Sequence, residues 1–497
     1  MPYVLACDQG TTSTRAIVFD ETGAKRGVAQ IPLPQIFPQP GWVEHDAEVI
    51  WSHQHTCCQD AIAAAGITAA DLSAVAVTNQ RETSIVWDRA TGEPIANAIV
   101  WQDRRTAETC DEIASRPGVS AMVRQRTGLG IDPYFSASKI AWLLDNTPGA
   151  RARAEAGELA FGTVDCWLTY RLSGGKVHVT DHSNASRTLL LDIESGCWDP
   201  ELCALFDVPM SLLPEVVPSS GVVGHTDAAV LGAAIPIAGI CGDQQAALAG
   251  NGGFAPGDAK ATFGTGVFAL MHTGSTRPYS QKLAVTLAAT TGPQMQYALE
   301  GTVFMGGAIV QWLVEELKLA ETPAALQALA ETVPDSNGVV LVPALTGLGA
   351  PEWDPYARGA VFGLTRGANS AHLARAALES IGLQVGDLVG AMTADSGHAL
   401  HRLRCDGGVT VNALVMQSLA NILSVPVDVA AMAESTALGA AYLAGLATGV
   451  WDGPDDLPML TAVGHTYEVD ADGAARMTAL KAKWGEAVRR SLQWEHA

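Results

Sequence analysis

Apolar runs in this chain are short, and several stop abruptly at polar, glycine-rich ends. Val4-Leu5-Ala6 predicts a strand that runs into Asp8-Gln9-Gly10-Thr11-Thr12-Ser13-Thr14-Arg15. Ala16 to Phe19 predicts its hairpin partner, ahead of Asp20 and the turn-prone Glu21-Thr22-Gly23. Val75-Ala76-Val77 ends in Thr78-Asn79-Gln80-Arg81-Glu82, and Ile85 to Trp87 reads as a strand answering it across a short polar link. Ala98 to Trp101 ends in Gln102-Asp103-Arg104-Arg105, and Arg402 to Cys405 in Asp406-Gly407-Gly408. Near the start of the second half, Ala261 to Phe268 repeats the opening motif of apolar strand, Gly-Thr turn and apolar strand.

Helices are predicted between these strands. One follows Asp46 and Glu48 and runs to about Ala64; another, Ser138 to Leu144, is opened by the turn at Asp132-Pro133-Tyr134-Phe135. Further helices are expected at Gly306–Leu319, at Ala371–Met392 with Ser370 as N-cap, from about Asn412, and at Ala437–Ala447. Strands alternating with helices, with polar residues gathered at strand ends, predict an α/β fold that binds ligands at those ends. A chain of 497 residues exceeds one ordinary core. Two α/β domains facing a cleft are expected, 1–249 and 250–497.

Composition narrows the function. A hydrophobic content of 48% with 16% charged residues suits a globular chain with a large core. The formal charge of −22 argues against nucleic acid as a partner and favours a neutral substrate, with any phosphate donor accompanied by Mg²⁺. The N-terminal segment lacks the basic and apolar regions of a signal peptide, and the longest apolar run, Ala228 to Cys241, is too short for a membrane span. Nine cysteines without a Cys-x-x-Cys pair read as reduced thiols in the cytoplasm. His53 and His55 point to opposite sides of a helix, so they share no metal ion.

The candidate chemistry lies in the strand-end loops. Gly10 permits a tight turn whose backbone N–H groups converge on an anion, while Thr11, Thr12, Ser13 and Arg15 add donors and charge suited to phosphate. Asp8 and Asp243 stand at the ends of apolar runs. Two such carboxylates suit a Mg²⁺–nucleotide cleft, because that ion takes few carboxylates together with phosphate oxygens. Gly407 and Gly408 leave room for an adenine ring or a ribose.

Asp8 to Arg15, Gly41 to Asp46, Asn79 to Glu82, Pro133 to Lys139, Gly162 to Asp165, Thr180 to Thr188 and Gly347 to Gly367 together resemble the FGGY family of carbohydrate kinases, relatives of actin and hexokinase. The Gly347–Gly359 run (Gly-Leu-Gly-Ala-Pro-Glu-Trp-Asp-Pro-Tyr-Ala-Arg-Gly, read from Gly347) is a specific part of that match. The resemblance implies two actin-like (ribonuclease H-like) domains, the first binding glycerol and phosphate and the second adenine nucleotide. It implies ATP-dependent, Mg²⁺-dependent phosphorylation of glycerol to sn-glycerol 3-phosphate by a cytoplasmic homodimer or homotetramer. By motif match, Thr11, Thr12, Ser13, Arg15, Thr265, Gly307, Gln311, Gly408 and Asn412 would bind ATP. Arg81, Glu82, Tyr134, Asp243 and Gln244 would grip glycerol between the apolar walls of Trp101 and Phe268. Asp243 would be the catalytic base, with Asp8 and Asp243 on the metal. A related polyol or pentulose kinase and a non-catalytic actin-like nucleotide-binding protein are the alternatives. Some family members bind a sugar bisphosphate through an Arg-bearing loop before an Ile-Pro-Ile segment. Here the matching Ala228–Ala234 has neither Lys nor Arg, which implies little inhibition by fructose 1,6-bisphosphate.

Overall fold

The computed structural model describes residues 2–431, 434–458 and 463–496. Its frame is two mixed sheets. The first is built from β1 (Tyr3–Gln9), β2 (Ser13–Asp20), β3 (Lys25–Pro32), β4 (Leu72–Asn79), β5 (Ser220–His225) and β6 (Pro236–Gly242), in the order β5-β6-β4-β1-β2-β3. The second holds β7 (Ala259–Phe263), β8 (Val267–Gly274), β9 (Ala284–Leu287), β10 (Tyr297–Val303), β11 (Leu403–Asp406), β12 (Val427–Ala430) and β13 (Val463–Tyr467), in the order β9-β10-β8-β7-β11-β12-β13.

The two sheets share a plan. In the first, β1 pairs antiparallel with β2 and parallel with β4, and β4 is parallel to β6. In the second, β7 pairs antiparallel with β8 and parallel with β11, and β11 is parallel to β12. The echo between the opening hairpin and Ala261–Phe268 is therefore an echo of position: each hairpin starts its own sheet.

Strands covered on both faces need apolar residues at every position rather than at alternate ones. In β1 and β4, Leu5, Cys7, Val75 and Val77 pack with α1 (Ala47–Ala64) and α2 (Val164–Leu172). Val4, Ala6, Ala74 and Ala76 face the other way, against α7 (Ser435–Thr448), a helix from the far end of the chain. Small residues let that helix lie close. A Cβ on Gly239 of β6 would come within 2.8 Å of the Ala440 carbonyl oxygen. α7 also crosses α3 (Asp243–Gly250) at bare backbone: a Cβ on Gly439 would sit 1.8 Å from the Ala246 carbonyl oxygen, and one on Gly250 1.9 Å from that of Ser435.

Several predicted elements shift. Ile85–Asp88 does not pair with β4; it pairs with Leu159–Gly162 in a separate two-stranded sheet. The helix expected at Gly306–Leu319 is α4 (Gly307–Glu315), and that expected at Ala371–Met392 is α5 (Ser370–Ser396). Its N-cap is Asn369 rather than Ser370: the Asn369 amide oxygen accepts from the Ala371 and His372 N–H groups. Asp46 caps α1, and Asn412 caps α6 (Ala413–Leu423). Among the described residues, no helix is long and apolar enough to cross a membrane.

Candidate active site

The loops that leave β1, β4 and β6 converge on one cleft. Beyond β1, the Gly10 N–H donates to the Ser13 carbonyl at 2.9 Å and closes the turn into β2. Asp8 and Arg15 are cross-strand partners in this hairpin, with Nη1 3.8 Å from Oδ2. The Arg15 Nε is buried without a hydrogen-bond partner among the described residues, so part of the guanidinium is free to receive an acceptor. The turn is tied to β4: Gln80 donates its backbone N–H to the Gln9 carbonyl at 2.7 Å and its amide to the Gly10 carbonyl at 3.2 Å. Trp101 joins the loop from outside, its indole N–H donating to Thr11 Oγ1 at 2.9 Å. The same indole meets Tyr134 edge-on, with centroids 5.5 Å apart.

Arg81 and Glu82 follow β4, and Glu82 sits at φ 61°, in the left-handed region that a non-glycine residue seldom occupies. That backbone turn sends the two side chains to different partners. Arg81 donates from Nη1 to Gln245 Oε1 at 3.1 Å, and its Nε lies 3.1 Å from Asp243 Oδ1. Glu82 Oε1 accepts from Arg187 Nε at 2.6 Å. Arg81 and Glu82 are 4.0 Å apart and both buried, so they are not a surface ion pair. Burial pushes the Glu82 carboxyl above its usual range, against the pull of Arg187 and Arg81. Burial also raises the Tyr134 phenol, and the Glu82 charge adds to that.

Asp243 is the first residue of α3, directly after β6 and the N-cap Gly242, and its Oδ1 accepts from the Gln244 N–H at 2.7 Å. A third of its side chain is exposed (34%), whereas Arg81 beside it is 2% exposed. Gln244 Oε1 accepts from the ammonium of Lys260, a fully buried lysine on β7 that also donates to Thr262 Oγ1 at 2.9 Å. Burial lowers that ammonium; Asp406 and Asp243 oppose the shift. Strand register puts Lys260, Thr262, Phe268, Leu270, Glu300 and Thr302 on one face of the second sheet. Phe268 thus shares a face with Lys260, which reaches Gln244, and Glu300, which reaches Arg81.

The second group of predicted residues gathers around the β7–β8 turn. The Thr265 carbonyl accepts from Gly306 and Ala308 at 2.9 and 3.0 Å, and the Gly307 N–H donates to the Gly264 carbonyl at 2.8 Å. A Cβ on Gly307 would lie 2.9 Å from that oxygen and 3.1 Å from Val409, so the turn, the start of α4 and the loop after β11 are in contact. Gly407, at φ 97°, runs against the backbone of Phe263, whereas the space around Gly408 is open. Gln311 is exposed on α4 and donates to the Glu315 carboxylate. Asn412 spends its side-chain oxygen on the Val415 N–H.

The N-terminal domain model of the FGGY family of carbohydrate kinases matches residues 3–250, and its C-terminal domain model matches residues 259–448. The chain belongs to the FGGY family of carbohydrate kinases. It is 54% identical over 495 residues to a glycerol kinase of Trichlorobacter lovleyi, covering 99% of both chains. It is 55% identical over 497 residues to a glycerol kinase of Leptothrix cholodnii, covering 99% of this chain and all of that one. Among solved structures it resembles the Plasmodium falciparum glycerol kinase with ADP, with a TM-score of 0.93, 36% identity and 99% and 98% of the two chains covered. A gluconate kinase of Lactobacillus acidophilus shares the fold at 23% identity and a TM-score of 0.88. The two-sheet frame described above is thus the fold of this kinase family.

The FGGY cleft also fits a divalent cation. Burial pushes Asp8 up; Arg15 pulls it down and Asp243 pushes it up again, leaving it at about 6. A hard cation held nearby would relieve the repulsion that Asp243 exerts on the Asp8 carboxylate. No group of three or more His, Cys, Asp or Glu side chains that could hold a metal ion exists among the described residues.

Four residues in this FGGY site escaped the sequence reading: Arg187, Gln245, Lys260 and Glu300. The last could have been noticed. Glu300 is the only charged residue in Tyr297–Val303, as Lys260 is in Ala259–Phe263, and a lone charge inside a buried strand needs a partner.

Proposed function

We propose that this chain transfers the γ-phosphoryl group of ATP to a terminal hydroxyl of glycerol, releasing ADP and sn-glycerol 3-phosphate. The observation that carries the reading is Asp243. It is the acidic side chain of the cluster most open to the cleft, and Arg81 holds it in place. High identity to glycerol kinases along nearly the whole chain supports glycerol as the acceptor. In this reading the first lobe, 1–249, binds glycerol and phosphate, and the second, 250–497, binds the adenine nucleotide.

Asp243 accepts the proton of the attacking hydroxyl, and Arg81, with Nε 3.1 Å from Oδ1, holds the carboxylate in place. Arg81, Glu82, Tyr134 and Gln244 orient the triol, with Trp101 and Phe268 against its carbon backbone. The Gly10–Ser13 turn and Arg15 receive the phosphate oxygens, while Thr265, Gly307, Gln311, Gly408 and Asn412 line the nucleotide side. Asp8 and Asp243 would hold Mg²⁺, which neutralises charge that builds on the phosphoryl oxygens. Phosphoryl transfer draws chiefly on positioning and electrostatics, which a cleft of fixed, buried charges supplies. The test is a coupled ADP-release assay with glycerol, xylulose, gluconate and erythritol. Turnover confined to glycerol supports the reading; preference for a pentulose or an acid sugar overturns it.

A further inference from the structure

Glu300 belongs to the second lobe, yet its carboxylate is held by the first. It stands on β10, and Arg81 donates to it from Nη1 at 2.5 Å and from Nη2 at 3.1 Å. Arg187 Nη2 lies 3.0 Å from Oε1, the oxygen that Arg81 Nη2 also reaches. All three side chains are at most 4% exposed. Burial would push the Glu300 carboxyl up, but Arg187 and Arg81 outweigh it and hold it at about 2. The group therefore stays charged at any working pH.

Such a network is a poor source of stability, because desolvating its charges offsets most of what their pairing returns. What it fixes is direction. A guanidinium gripped along one edge by a carboxylate is held in a plane. Arg81, gripped through Nη1 and Nη2, is left with Nε beside Asp243. Arg187 donates from Nε to Glu82 and lies over the rings of Tyr134 and Phe135, 5.5 and 5.1 Å from their centroids. One carboxylate from the second sheet thus orients two arginines and, through them, Asp243, Glu82 and Tyr134.

We propose that Glu300 is a positioning residue for the acceptor half of the site, one that completes the polyol grip only when the second sheet is seated on the first lobe. This rests on the reading of the cleft as a polyol kinase site. It also gives the interface between the lobes a role in acceptor selection, beyond carrying the nucleotide.

Steady-state kinetics on Glu300→Gln and Glu300→Asp test it. Glutamine turns an N–H group toward the guanidinium and opens the fork, so kcat/KM for glycerol should fall about 10- to 150-fold, the range for losing a hydrogen bond to a charged group. The KM for ATP should stay within about twofold, and preference for glycerol over propane-1,2-diol should narrow. Aspartate keeps the charge, so it should restore part of the loss. Wild-type kcat/KM in Glu300→Gln, or parallel loss of glycerol and ATP affinity, overturns the proposal. If the glutamine variant fails to fold, Glu300→Asp decides alone: a raised glycerol KM at constant ATP KM supports the role, and an unchanged glycerol KM refutes it. Wild-type enzyme is assayed first. Should it prefer another polyol or a pentulose, the glycerol assignment fails, and the same comparison is read with that acceptor.

Discussion

Asp243 differs from its neighbours in what it leaves open. Arg81, Glu82, Arg187 and Glu300 pair with one another out of water, while Asp243 sets one oxygen against Arg81 and keeps a third of its side chain exposed. Asp243→Asn is nearly isosteric, so the helix start should persist while the base is lost. The expected fall in kcat at saturating glycerol and ATP is about 10²–10⁴-fold; near-normal turnover would remove Asp243 from the base role. A second residue-scale expectation concerns Asp165, far less accessible. Burial and Asp181 push its carboxyl up to about 7, although Thr163 and Thr180 both donate to it. The folded state therefore binds a proton that the unfolded chain releases near pH 4, so stability from this group is greatest at low pH and falls as pH rises through about 7. Asp165→Asn mimics the protonated form. Its melting temperature should fall less between pH 5 and pH 8 than that of the wild type, with a gain of a few kcal/mol at the upper end. Thermal unfolding of both proteins across that range checks the sign.

At the scale of elements, the crossing of α3 and α7 sets where Asp243 lies, because α3 begins with it. Gly439→Ala would press a methyl group into the Ala246 carbonyl and part the helices. Overpacking of this kind costs about 1–3 kcal/mol, and kcat should fall with the melting temperature. Gly390→Ala is the contrast. It lies exposed in α5 with nothing near its Cβ position, so it should stabilise by about 0.5–1 kcal/mol without touching activity. The same elements mark how far the sequence could be read. β1 and β4 were legible because strands buried on both faces are apolar throughout, and the opening loop because its glycine and hydroxyls follow such a strand at once. Ile85–Asp88 looked like a partner for β4 because it is next in sequence. Its real partner, Leu159–Gly162, is more than seventy residues away, and no local pattern announces that pairing. Glu300 stands out as a lone charge in an apolar strand, but its partners do not: Arg81 and Arg187 precede it by over a hundred residues.

For the molecule as a whole, charge predicts a regulatory property. Ala228–Leu231 is one helical turn capped by Asp227, and the cation that reaches it, Lys176, is already bound to Asp227 at 2.8 Å. Backbone amides beside a carboxylate are a poor seat for a dianion. Fructose 1,6-bisphosphate should therefore inhibit little; an effector titration in the ADP-release assay that shows strong inhibition at physiological levels would refute this.

The placement of α7 also bears on how the chain comes into being. Val4, Ala6, Ile17, Phe19, Ala74 and Ala76 leave the ribosome long before the helix that covers them, which ends at Thr448. At about 5–20 residues per second, some two hundred residues beyond α3 take on the order of 10–40 s to synthesise. Throughout that interval the first sheet offers one finished face and one naked, greasy one. A nascent first lobe is thus a natural client for holding chaperones, and a stall in translation before α7 would leave it sticky rather than merely inactive.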